Sequence, residues 1–385
     1  MKASAFVYPW DVNGDPAAPG RLAALGVRGV TLASAYHSTR ALTPRHPRHR
    51  VVTAAHAAVL YPPGERWRGR ALRPYAAGDW APGDAFGEAA GALVDAGLEV
   101  HTWVVLAHNS RLGAEHPDTS VVNAYGDRYP WAPCVAQPAT RALLVDLAAE
   151  AAVRPGAAGT ELESLGWYGL AHLHAHDKIG GITLGDAGQY LMSLCFCATC
   201  RTGYGTDADA LAAAVREALE PVWRGAPSGG GWAAVEGLLG AERAALTRAW
   251  REPVARSLQE EAVAAVRAAA PDGFRVLLHA DPVWYHVGAN AGVDPGHVLG
   301  IADGVVLPCT GGPEPLAPFA ERAAGDTVLA ANLTVVSGMG GSPGTLAEDA
   351  RRAAGLGATE LRLYHAGLAS DADLEAVRRG LAELG

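Results

Sequence analysis

Residues 91–108 read GALVDAGLEVHTWVVLAH, and the order of residue types in that stretch sets the class of fold. An Ala/Leu-rich helical segment stops at Gly97, where a glycine suits the left-handed conformation that closes a helix. A β-branched apolar run without polar alternation follows, as in a strand buried on both faces. The same order recurs in residues 21–34 (RLAALGVRGVTLAS), 265–281 (AVRAAAPDGFRVLLHAD) and 351–367 (RRAAGLGATELRLYHAG). Strand-like runs then fall at 5–10, 29–33, 99–106, 160–164, 274–278, 304–307, 328–332 and 360–364. Eight buried strands alternating with helices predict an α/β protein of the (β/α)8 TIM-barrel class. An open doubly wound sheet with fewer strands is the alternative, and the first run lacks the GxGxxG that a dinucleotide fold would carry.

Composition agrees with one large barrel over residues 1–385. The chain is 49% hydrophobic and only 18% charged, with a formal net charge of −9, so it can fill a large core and is ill suited to a nucleic-acid partner. The first residues, MKASAFVYPW, hold no apolar signal region, and no run of about 18 apolar residues occurs, so a cytoplasmic protein without membrane attachment is expected. Five cysteines, most of them clustered, read as metal ligands in a reducing compartment rather than as a disulfide framework. Nothing points to an organic cofactor, and a homo-oligomer is compatible with the composition.

Long loops are expected after strands two, three and four. The first covers residues 39–80 and is rich in Pro and Arg; the others make 108–240 an insertion-rich region. Such loops at the carboxyl ends of barrel strands are where these enzymes build their sites. Within that region CFCATC places Cys195, Cys197 and Cys200 close together, and Cys134 is the available fourth thiol. Four thiolates can close a tetrahedral structural zinc site that ties the loop before strand four to the loop after it. The alternative is four reduced, packed cysteines; Cys309, alone at the end of strand six, reads as buried rather than nucleophilic.

Alternation along strand four puts Glu161 and Glu163 on one face. If that face is inward, Glu163 reaches the carboxyl rim and is placed for general acid/base work; the alternative is that one of the pair forms a salt bridge with an arginine inside the barrel. Asp281 is the candidate second acid, unless it caps the turn at Pro282. Other strand ends supply candidate substrate contacts: Tyr8, Trp10 and Asp11 after strand one, His37 after two, His108 and Asn109 after three, Trp167 after four, His279 and Trp284 around the end of five, Asn332 on seven and His365 after eight. The HLHAHDK run adds His174, His176, Asp177 and Lys178 as a substrate-contacting loop, with a catalytic metal on alternate histidines as its alternative. Rings with polar edges beside carboxylates suit sugar hydroxyls and ring faces, so a small-molecule carbohydrate is the expected substrate.

These residues resemble glycoside-hydrolase barrels, in particular the zinc-containing β-galactosidase family and related glycosyl hydrolases. The likeness rests on Cys134 in PWAPCVAQP, ahead of a helix and an acidic fourth strand, followed by CFCATC and Arg201. It implies that Cys134, Cys195, Cys197 and Cys200 hold zinc and that Glu163 is the proton donor. Two departures stand out: Leu162 precedes Glu163 where the family has asparagine, and strand seven reads LAANLTVV, with Asn332 where the family's nucleophile glutamate would end the strand. The expected activity is hydrolysis of a glycoside by carboxyl acid/base catalysis. The rivals are a sugar isomerase or lyase, a carbohydrate-binding pseudoenzyme, and metal-dependent hydrolysis at the histidine run.

Overall fold

A computed structural model describes residues 1–171 and 177–385. Eight parallel strands close on themselves: β1 (Lys2–Val7), β2 (Gly29–Tyr36), β3 (Glu99–Val105), β4 (Ala157–Glu163), β5 (Arg275–Asp281), β6 (Gly304–Pro308), β7 (Val328–Thr334) and β8 (Glu360–Tyr364), with β8 pairing back onto β1. The chain is thus the expected (β/α)8 barrel. Each strand is followed by a helix: α1 (Ala18–Ala24), α2 (Ala85–Asp95), α3 (Pro138–Ala152), α4 (Ala241–Ala269), α5 (Pro295–Ile301), α6 (Ala317–Ala320), α7 (Leu346–Gly355) and α8 (Asp371–Ala382). Gly97 has φ of 79°, so the residue that punctuates the opening stretch does take the left-handed conformation.

Strand one sits earlier than its apolar run implies. It ends at Val7, and residues Pro9–Asp11 form a 3-10 turn, because Pro9 has no N–H for a ladder and is at home in the first turn of a helix. The long helix α4 runs unbroken through Pro253.

The expected excursions are built structures. After β2, strands Thr39–Leu42 and Val51–Ala54 form an antiparallel hairpin, and Ala58–Val59 pairs with β2. After β3 come a short helix, Ser110–Glu115, and a second hairpin, Ser120–Val122 with Arg128–Pro133. After β4 the described residues carry four α-helices, Asp186–Met192, Ala198–Tyr204, Ala208–Trp223 and Trp232–Leu239, before α4. Among the described residues no helix is long and apolar enough to cross a membrane.

The barrel interior is chemically lopsided. On the β5–β7 side Leu277, Val306, Val328 and Ala330 form a small apolar cluster. Facing it, Phe6, Tyr8, Trp103 and Tyr36 pack ring against ring, with Phe6 and Trp103 at 4.7 Å and Tyr36 and Trp103 at 4.5 Å. The aromatic floor of the site lies on the side of β1–β3, across from that apolar cluster.

Candidate active site

Alternation along β4 does turn Glu161 and Glu163 inward, at two depths. Glu161 is fully buried; Arg362 from β8 donates from Nε to its Oε1 at 2.5 Å and Thr31 donates to the same oxygen at 3.1 Å. Arg362 also donates to Glu360 Oε2 at 2.8 Å. Burial by itself would push Glu161 upward, but the guanidinium and the neighbouring His101 and His279 hold its carboxyl well below the usual carboxylate range. It is a permanent anion inside the barrel. The arginine that the sequence left unspecified is Arg362, inward between the outward-facing Leu361 and Leu363.

Glu163 stands one step higher, 7% exposed, at the floor of an open cavity of about 830 Å³. Trp103 on β3 donates its indole N–H to Glu163 Oε2 at 2.7 Å, which fixes one carboxyl oxygen. Directly afterwards Ser164 adopts φ of 57°, unusual for a residue with a side chain, and its N–H donates to Ala289 O at 2.8 Å. The chain thus leaves the barrel sharply at the residue after the carboxylate.

Around Glu163 the cavity floor comes from strand ends: Tyr8, Tyr36, His37, His108, Tyr168, Tyr364 and His365. Burial raises the phenols of Tyr8, Tyr36, Tyr168 and Tyr364 above their ordinary value, so they remain neutral donors. Burial lowers His37, and burial followed by the charge of His37 pushes His365 down to about 3. The floor sets one carboxyl group among phenols and imidazoles. His108 stacks on Tyr168 with ring centres 4.8 Å apart, and His365 Nε2 lies 3.3 Å from the Tyr8 hydroxyl. Glu163 is the one acidic side chain that lines this cavity among the described residues.

His279 is not a floor residue. It is 3% exposed and lies beneath Glu163, with Nδ1 3.9 Å from Glu163 Oε2 and Nε2 3.5 Å from Glu161 Oε2. It links the two glutamates instead of meeting a substrate. Neither Glu161 Oε2 nor His279 Nε2 has a hydrogen-bond partner.

Several sequence-chosen residues sit elsewhere. Asp281 takes the turn-capping arrangement: its Oδ1 accepts from Val283 N at 2.8 Å and its Oδ2 is 2.9 Å from His286 Nδ1. It lines an adjoining cavity of about 300 Å³ with Asp186, Gln189 and His286; Ala171, Val287 and Ala289 border both that cavity and the one above Glu163. Asn109 caps the Ser110–Glu115 helix by accepting from Leu112 N, so its side chain is spent on the backbone. Trp167 is buried, donating to Arg251 O at 2.9 Å beneath the Arg251 guanidinium, and Trp284 packs on Trp232 and Arg248. Trp10 stacks on Tyr8 behind the floor. Asp11 faces a separate void of about 30 Å³, accepts from Tyr8 N, and is pushed up to about 7 by burial. Asn332 points into the barrel with its Oδ1 buried and unpartnered, but does not line the cavity. Those corrections share one cause: a strand-end position gives height in the barrel, while the turn that follows chooses direction. Asp177 and Lys178 are exposed. His174 and His176 lie outside the described residues.

Sequence reading passed over Tyr364 as a floor residue, although its inward parity with Arg362 and Glu360 was available. It also gave no role to Leu42 and Met339, which stand at the mouth of the cavity.

Below and beside the barrel mouth, Cys134, Cys195, Cys197 and Cys200 are buried with their sulfurs all within 4.8 Å of one another, and so could hold a metal ion. Two of the separations are 3.6 and 3.7 Å, far beyond a disulfide. Four sulfurs at about 2.3 Å from a central ion form a tetrahedron with edges of about 3.8 Å, so the spacing fits a thiophilic metal. Hydrogen bonds, first from Cys134, hold the Cys197 thiol well below its ordinary range, while contact first with Cys195 raises Cys134. Cys134 follows the Arg128–Pro133 strand and the other three come from the loop after β4, so the cluster joins the two insertions. Cys309 stands apart, pushed up to about 12 by burial.

The sequence matches no protein-family model and no curated protein. Solved structures are similar to it throughout its length. An α-L-fucosidase isoenzyme 2 from Paenibacillus thiaminolyticus superposes with a TM-score of 0.59 at 11% identity, over 100% of this chain and 49% of that one. The catalytic domain of a β-amylase from Paenibacillus polymyxa gives 0.57 at 12% identity, over 100% and 98%. A cold-adapted β-galactosidase from Rahnella sp. R3 gives 0.56 at 12% identity, over 100% and 56%. This chain therefore spans about half the length of the fucosidase and of the β-galactosidase, and at such identities the likeness establishes the barrel fold.

Proposed function

We propose that this chain is a glycoside hydrolase in which Glu163 is the general acid. One observation carries the reading: a single buried carboxyl group, oriented by an indole N–H, sits on a floor of phenols and imidazoles in a cavity large enough for a drug-sized ligand. Neutral donors and acceptors of that kind satisfy sugar hydroxyls. The similar solved structures named as a fucosidase, an amylase and a galactosidase support the same substrate class.

In the proposed reaction the Glu163 proton passes to the glycosidic oxygen as the bond from that oxygen to the anomeric carbon breaks, while Trp103 keeps the carboxyl in place. Retention through a carboxylate nucleophile requires a second carboxyl about 5 to 5.5 Å away. No other acidic side chain lines the cavity among the described residues, so the reading favours direct attack by water. Asp281, hydrogen-bonded to His286 in the adjoining cavity, is the proposed base that takes the proton of the attacking water as its oxygen bonds to the anomeric carbon. Zinc at the four cysteines is the proposed structural metal: it would hold the two insertions together, and no step of the reaction is assigned to it.

Turnover of p-nitrophenyl glycosides in ¹⁸O-labelled water tests the proposal. The expected product is a free sugar with the label at its anomeric carbon, lost in Glu163→Gln. An isomerised or unsaturated sugar without label would overturn hydrolysis in favour of the isomerase or lyase reading. The single carboxylate also favours a second reading, a carbohydrate-binding pseudoenzyme; sugar binding equal in wild type and Glu163→Gln, with turnover in neither, would establish it.

A further inference from the structure

The cavity above Glu163 changes character with height. Its floor residues come from strand ends and are buried: Tyr8 is 2% exposed, His108 8% and His365 1%. Its mouth comes from loops and is largely apolar, with Leu42 on the hairpin after β2, Val336 and Met339 after β7, and Leu368 after β8. Leu42 is 67% exposed and Met339 50%, among the most exposed large apolar side chains of the molecule. Single exposed apolar residues are ordinary, but these two sit on different loops and border the same cavity as Glu163.

We propose that the substrate is a glycoside with an apolar aglycone, its sugar on the buried polar floor and its aglycone between Leu42, Val336, Met339 and Leu368. The inference rests on the reading of Glu163 as general acid, because that reading places the scissile bond at the boundary between floor and mouth. A second sugar at the mouth would set most of its hydroxyls against Leu42, Val336, Met339 and Leu368, which cannot bond them, with Thr39 and Arg40 as the polar side chains beside Leu42, whereas an alkyl or aryl group would remove apolar surface from water on both partners. Arg40 lines the mouth beside Leu42, and its aliphatic stem extends the same surface while its guanidinium stays in water. A cavity of about 830 Å³ exceeds what one sugar ring fills, so the mouth is needed to explain its size.

Calorimetry on Glu163→Gln, which separates binding from turnover, reads the preference directly. The probes are hexyl and methyl glycosides of the same sugar, taken as both anomers of glucose, galactose and fucose. At least one hexyl glycoside is expected to bind about tenfold to a hundredfold more tightly than its methyl counterpart, from burial of several methylenes. In Leu42→Asn and Met339→Gln that ratio is expected to fall at least threefold each. Equal affinities for every hexyl–methyl pair, a disaccharide preferred to every hexyl glycoside, or equal binding of hexanol would overturn the proposal. Chain-length selectivity in Glu163→Gln with no hydrolysis by wild type would sink the hydrolase reading while leaving the ligand class intact.

Discussion

Glu161 and Glu163 are separated by one residue, belong to one strand and face one interior, yet the first is locked in a buried ion pair and the second opens onto a cavity. The difference is depth. One step down, Arg362 reaches across from β8 and the carboxylate has a counter-charge, a hydroxyl donor and no access to ligand. One step up, the opposing residues are phenols and imidazoles that supply hydrogen bonds without neutralising charge, and the space above is open. The pair teaches that residue type and facing are insufficient to name a catalytic group in a barrel; its layer decides.

The strongest way to break the comparison is to exchange the roles experimentally. Glu163→Gln is expected to lower turnover by about 10²- to 10⁴-fold, the usual contribution of general acid catalysis, with little change in the thermal midpoint. A large fall in the midpoint with proportionate loss of activity would make Glu163 structural. Arg362→Met is expected to have the opposite signature, a loss of about 3 to 5 kcal/mol in urea unfolding at neutral pH, because it strands Glu161 without its cation. Adding Glu161→Leu to that variant should restore most of the loss; failure to recover would mean the arginine acts through packing alone.

The same pair sets a pH expectation. A carboxyl held below its unfolded value of about 4.5 contributes stability above that pH and loses it as the pH falls toward the depressed folded value, so wild type is expected to lose stability on acidification below about pH 5. In Glu161→Leu/Arg362→Met that part of the acid slope should be absent from pH-dependent unfolding curves. Trp103→Phe sharpens the comparison from the other side. It removes the donor to Glu163 while keeping a ring among Phe6, Tyr8 and Tyr36, and is expected to cost about 10- to 100-fold in turnover, the worth of a hydrogen bond to a charged group.

A smaller effect is expected away from the two glutamates. His286 is raised by its hydrogen bond to Asp281, so that contact stabilises below the ordinary histidine pKa and fades as pH rises through the raised value. Both side chains are partly exposed, which limits the contribution to below about 1 kcal/mol. Asp281→Asn should flatten stability in thermal scans as the pH rises above the ordinary histidine value, and should also lower turnover as the proposed base is lost; full turnover in the variant would remove Asp281 from the reaction.

Much of the site was legible because barrel strands obey a period of two. Glu161 and Glu163 share a face by that period, and His37, His108 and His365 follow strands whose ends converge on one mouth. Cys134 and the CFCATC run could be joined from sequence because close thiol spacing has few other uses. Asn109, Trp167, Asp281 and Trp284 show where this stops: each sits near a strand end, and each is turned aside by a cap, a buried indole bond or a tight turn.

Sequence alone determined the helix-to-strand rhythm, the eight strands, the three long excursions and the shared face of the β4 carboxylates, since all of these follow from local periodicity and glycine punctuation. Tertiary structure alone decided that Arg362 meets Glu161, that His279 lies between the two glutamates, and that Asp281 opens on a different cavity from Glu163. Those outcomes depend on the stagger of strands around a closed barrel and on turns after their ends, which place residues hundreds of positions apart within hydrogen-bond reach and leave no trace in the order of the chain.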